Sequence, residues 1–95
     1  MPDPMQLWVF VYDVRDAGRQ KQVRDCLRFA GSRVQDCVYE VAGSKTRLRR
    51  LIEELAFLLG PDDGMRVYRV CKDCRQETTI FGEGRLTSRP VVIIL

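Results

Sequence analysis

The run Leu7-Trp8-Val9-Phe10-Val11-Tyr12 is apolar at every position. A strand with one wet face alternates apolar and polar residues, so this run predicts a strand, about 6–13, that is covered on both faces. Whatever the chain folds into must place that strand centrally and bring material to both sides of it. There is little material to bring. Its 95 residues, 45% hydrophobic and 31% charged, suffice for one small globular domain. Domains of this size are marginal enough that oligomerisation is a natural supplement. We read residues 1–95 as a single domain with a core of about 6–72 and a tail of about 78–95.

The rest of the chain punctuates clearly. Val23, Cys26, Leu27 and Ala30 recur at helical spacing, with Asp16 placed to cap the helix start and Gly31 to stop it. Between Gly31 and Ser44 the apolar parity shifts from even (Val34) to odd (Cys37, Tyr39, Val41), predicting a bulge or sharp bend between two short strands. Leu48, Leu51, Ile52, Leu55, Leu58 and Leu59 form the stripe of a second helix, ended by Gly60-Pro61. Asp62-Asp63-Gly64 reads as a turn, and Met65 to Cys71 as a last strand. The order βαββαβ is the ferredoxin-like α+β plan, an antiparallel sheet with two helices on one face.

That plan leaves one sheet face open, whereas the first strand is apolar on both. The chain ends in Val91-Val92-Ile93-Ile94-Leu95, an aggregation hazard if left unpaired. Pairing with an edge of its own sheet removes the hazard. Reaching across to a second subunit's sheet removes it and covers the open face as well. We therefore expect a homodimer in which an additional C-terminal strand packs on the partner. No window approaches the roughly 18 apolar residues of a membrane span. Met1-Pro2-Asp3-Pro4 lacks the basic and apolar regions of a secretory signal. The expectation is a soluble intracellular protein without membrane association.

Net charge is only +3, but residues 1–50 hold ten Lys/Arg against six Asp/Glu, and residues 51–95 hold six against seven. The positive excess is local to the first half. Asp13 closes the apolar strand, where nothing in the pattern calls for an acid, and Arg15, Arg19 and Lys21 follow it. As a structural acid, Asp13 would cap the next helix or pair with Arg15 or Arg19. As a magnesium ligand it needs partners, because the ion takes six oxygens and one carboxylate supplies too few. A two-fold axis brings a second copy of the same carboxylate. An ion so held polarises a phosphoryl oxygen and activates water, which matters in a chain with no histidine to act as base. Tyr12 faces the other side of the strand and is expected in the core.

The basic residues divide between solvated and functional readings. Lys21, Arg24 and Arg28 share one helix face. Lys45, Arg47, Arg49 and Arg50 crowd the first turns of the second helix, where cations oppose the helix dipole at about 0.3–1 kcal/mol each. That placement is unfavourable for stability and favours a phosphate partner, bound through salt-dependent contacts that ignore sequence. Arg33, beside Gln35, either joins that surface or buttresses Glu40 or Asp13. Cys26 and Cys37 fit as small hydrophobes in a helix and a strand. Cys71 and Cys74 form one C-x-x-C pair without histidine, short of a zinc pattern, and read as a turn after a strand.

Tyr12-Asp13-Val14, the turn into a basic helix, and above all Gly31-Ser32-Arg33-Val34-Gln35-Asp36-Cys37-Val38-Tyr39-Glu40 resemble the CRISPR-associated protein 2 family. The likeness extends through the second helix, Arg66-Val67-Tyr68 and the apolar tail. It implies a homodimer in which the two Asp13 carboxylates approach each other and share magnesium. It also implies metal-dependent endonuclease activity in some members, a cytoplasmic prokaryotic setting, and a role in spacer acquisition: binding duplex DNA between dimers of the CRISPR-associated integrase, protein 1 of that system. Cys37 stands where the family often has serine, and Tyr39 where it has phenylalanine. A free-standing, toxin-like ribonuclease of the same fold is the alternative. An RNA-recognition module is set aside, because Met65-Arg66-Val67-Tyr68-Arg69-Val70 lacks its aromatic signature.

Overall fold

A computed structural model describes residues 5–71 together with 74, 77 and 79. The expected C-terminal strand lies outside the described residues. Strand β1 (Gln6–Asp13) leads into helix α1 (Ala17–Ala30), then β2 (Ser32–Gln35), β3 (Val38–Gly43), helix α2 (Lys45–Leu58) and β4 (Gly64–Val70). The four strands form one antiparallel sheet in the order β2-β3-β1-β4. This is the ferredoxin-like arrangement, with the apolar strand between two neighbours.

Local chemistry sets the boundaries. The Asp16 carboxylate accepts the Arg19 amide N–H at 2.9 Å, and the Ser44 hydroxyl accepts that of Arg47 at 3.2 Å, so each helix begins on a capping side chain. Gly31 ends α1 and donates its N–H to Leu27 O at 2.8 Å. Only glycine fits there, because a Cβ would collide with the Glu40 carbonyl and Val41 of β3. The parity shift in the sequence corresponds to a register irregularity between Arg33 and Gln35. One detail differs. Cys37, expected within a strand, sits in the tight β2–β3 turn at φ 66°, the left-handed region that short hairpin loops require.

Both helices pack on the same face. Phe10 and Tyr12 of β1 and Tyr39 and Val41 of β3 meet Val23 and Leu27 of α1 and Leu48, Leu51 and Leu55 of α2 in one buried cluster. Trp8, Met65 and Val67 pack against its edge. Strand alternation sends Val9, Val11 and Asp13 to the opposite face. There β4 presents Arg66 and a half-exposed Tyr68, and β3 presents Val38. Among the described residues no helix covers that face.

The core stripe gives a graded test. Leu55 is fully buried whereas Phe57, two residues on, is 92% exposed. Leu55→Ala should cost about 2–5 kcal/mol in urea denaturation. Phe57→Ala should stay within about 0.5 kcal/mol of wild type.

Candidate functional site

The structural duties open to Asp13 are performed by other acids. Asp16 caps α1. Asp63 pairs with Arg19, whose Nε donates to Oδ2 at 2.8 Å and Nη2 to Oδ1 at 3.4 Å. The Asp63 side chain is only 2% exposed and also accepts the Gly60 amide at 2.6 Å. The Arg19 guanidinium lies so close over Gly60 that a side chain there would meet it. This three-residue lock ties the start of α1 to the turn after α2. Arg19 holds the Asp63 carboxyl below the usual carboxylate range, and the Gly60 amide reinforces the effect.

Asp13 itself is exposed, at the end of β1 on the face away from the helices. Among the described residues its carboxylate makes no hydrogen bond or ion pair. Directly across from it in the β1–β4 register is Gly64, where a Cβ would meet nothing within 4 Å. The carboxylate therefore stands beside open space. Tyr12 points into the core, 5% exposed, with its ring stacked on Tyr39 at 6.4 Å between centroids. Burial and the neighbouring Cys37 push the Tyr12 hydroxyl up to about 12, so it stays protonated through the neutral range. The buried Tyr39 hydroxyl finds no partner among the described residues.

The basic residues fall into two groups. Register places Gly43, just before α2, opposite Gln6, whereas Val38 lies opposite Val11. Lys45, Arg47, Arg49 and Arg50 therefore start at the Gln6 end of the sheet, and Asp13 lies at the other. Seven strand steps of about 3.3 Å separate the two ends by about 23 Å. All four cations are exposed, with no acid in the first turn of α2. Arg15 is exposed beside Asp13. Three of the other candidates are already engaged: Arg19 with Asp63, Lys21 with Asp25 at 2.9 Å, and Arg33 with Asp36. Sequence reading missed Asp63 and Gly64. The Gly60-Pro61-Asp62-Asp63-Gly64 run signals a turn, but not that one carboxylate reaches back to α1 and that the glycine opens a site.

As a cation site, the described residues offer one carboxylate, that of Asp13. Asp13 contributes hard, accessible oxygen donors, and among the described residues no group of three Cys, Asp or Glu side chains gathers around a common point. The donor chemistry fits magnesium only if a second carboxylate and water complete it.

Comparisons with known proteins agree on one family. Residues 5–78 match the family model described as CRISPR associated protein Cas2. A Rhodospirillum rubrum protein named CRISPR-associated endoribonuclease Cas2 4 is 38% identical over 80 residues, 83% of this chain. The chain spans 64% of that protein's length. CRISPR-associated endoribonuclease Cas2 3 of Synechocystis is 33% identical over 92 residues, covering 96% of this chain and all of the relative. Among solved structures, a chain of a partial Cas6-RT-Cas1–Cas2 complex shares the fold at TM-score 0.66 and 22% identity, covering 77% of this chain and 87% of that one.

The lock predicts an acid limit. A carboxyl depressed by folding stabilises above its ordinary range, near pH 4, and that stability is lost as pH falls through the folded value. Asp63→Asn should lower the denaturation midpoint at neutral pH and flatten the decline in stability on acidification. Asp13→Asn should leave the denaturation midpoint at neutral pH unchanged.

Proposed function

The chain belongs to the family of CRISPR-associated protein Cas2, and on that premise we propose that it is a homodimeric adaptation subunit that binds duplex DNA beside the integrase Cas1 and carries a magnesium-dependent phosphodiesterase site at Asp13. The observation that carries the site assignment is the idleness of Asp13. A charged group at the end of a central strand, left exposed while Asp16 and Asp63 do the structural work, is available to something outside the monomer.

The open sheet face supports the dimer. Val9, Val11, Val38 and Tyr68 present apolar surface there, and Asp13 lies at its end on the same face. Two copies joined across that face by a two-fold axis bring a second Asp13 towards the first. A divalent cation held between them supplies polarisation of a phosphodiester and a water more easily deprotonated than in bulk. Asp13 contributes the anchoring charge, Arg15 neutralises phosphate nearby, and Lys45, Arg47, Arg49 and Arg50 hold backbone phosphates farther along the duplex. About 23 Å corresponds to roughly seven base-pair steps at about 3.4 Å. Arg19, Lys21 and Arg33 contribute positive potential while held in their ion pairs. The Cas1–Cas2 assembly containing a chain of this fold supports the integrase partner.

The names of the relatives favour a second reading, cleavage of RNA by the same carboxylate in a free-standing enzyme. One experiment separates them. Purified protein is incubated with magnesium and either duplex DNA or single-stranded RNA, comparing wild type with Asp13→Ala, while duplex affinity is measured in parallel. We expect cleavage to vanish in the variant with dimer and duplex binding unchanged. Activity that persists removes Asp13 from the site; cleavage confined to RNA with no duplex affinity selects the second reading. Reversing Arg47, Arg49 and Arg50 to glutamate should weaken duplex binding more than tenfold. It should also reduce the salt slope by about 0.9 for each phosphate that is no longer neutralised.

A further inference from the structure

Beyond the nucleic-acid site, one pair of side chains has chemistry that the proposed function does not use. Cys71 directly follows β4, and Cys74 lies three residues on; both are exposed. Their sulfurs are hydrogen-bonded at 2.9 Å, and Cys71 Sγ also accepts the backbone N–H of Cys74 at 3.2 Å. A disulfide bond is about 2.05 Å long, so less than about 1 Å of movement separates this pair from a bond. The other two cysteines, Cys26 and Cys37, are half-buried and distant in sequence.

Two sulfurs are too few for a closed zinc site, which takes four ligands. The C-x-x-C spacing, the contact and the exposure instead suit thiol–disulfide exchange.

We propose that Cys71 and Cys74 form a reversible dithiol–disulfide pair, with Cys71 as the attacking sulfur and Cys74 as the resolving one. The roles follow from the hydrogen bonds. The Cys74 amide donates to the Cys71 sulfur, and a backbone donor aimed at a sulfur favours its anionic form. The sulfur–sulfur contact raises the Cys74 thiol above its ordinary range, keeping it protonated until the second step. The oxidant is a low-molecular-weight disulfide such as oxidised glutathione. The Cys71 thiolate attacks one of its sulfurs, forming a mixed disulfide and releasing one glutathione. Deprotonated Cys74 then attacks the Cys71 sulfur and releases the second. The protein gives up two electrons and two protons, and the oxidant leaves as two thiols. The new bond closes a ring that starts directly after β4.

The test uses the full chain, oxidised glutathione, intact mass and peptide mapping. Wild type should lose two hydrogens, fall from four titratable thiols to two under denaturing conditions, and yield a Cys71–Cys74 cross-linked peptide that dithiothreitol reverses. Cys74→Ser should accumulate a glutathione adduct on Cys71. Cys71→Ser should react at Cys74 several-fold more slowly than Cys74→Ser reacts at Cys71. Retention of four thiols overturns the pair. Equal reactivity of the two single variants, or faster reaction at Cys74, overturns the assignment of roles. Stoichiometric zinc that blocks oxidation would replace the proposal with a metal site shared between copies.

Discussion

The two-sided burial demand of β1 governs this molecule. An eight-residue strand that is apolar on both faces cannot sit at an edge, and it lies between β3 and β4 with the helices on one side. The helix side is closed by a single cluster reaching from Phe10 and Tyr12 to Leu48 and Leu55. The other side is not closed by any described helix. The described residues contribute no further layer on that side, and under the proposed reading a second copy supplies it. The proposed dimer would answer that demand of the strand, and the position of Asp13 at the end of the same face ties the candidate site to it.

Separation of roles among the acids is the second constraint. Capping and ion pairing are the ordinary uses of carboxylates near a helix start. Asp16 and Asp63 take both, within a few residues of Asp13 in sequence or in space. The lock formed by Arg19, Gly60 and Asp63 holds the start of α1 against the turn that launches β4. It thereby fixes the two backbone segments, Asp13 and Gly64, that flank the candidate site.

Much of this was legible in the sequence, because periodicity and capping are local. The strand bounds, the Asp16 cap, the Gly31 stop and the irregularity before Asp36 all leave marks within a few residues; the Ser44 cap of α2 went unread. Cys37 was misplaced because its neighbours read as strand, and the left-handed turn it adopts more often carries glycine or asparagine. Asp63 was invisible as a structural acid, since its partner Arg19 is 44 residues away. The same holds for the basic residues. Arg19, Lys21 and Arg33 look equivalent to Lys45, Arg47, Arg49 and Arg50 on paper, yet the fold pairs the first three with carboxylates and sets the α2 group at the far end of the sheet.

Under the proposed reading Asp13 serves a cation shared between two copies, whereas Asp63 serves the fold. Thermal denaturation with increasing magnesium reads that division directly, since a ligand bound only by the native state raises the midpoint. Magnesium should stabilise wild type, Asp13→Asn should abolish the gain without lowering the metal-free midpoint, and Asp63→Asn should lower the metal-free midpoint but keep the gain. A magnesium-dependent rise that survives Asp13→Asn would contradict that reading.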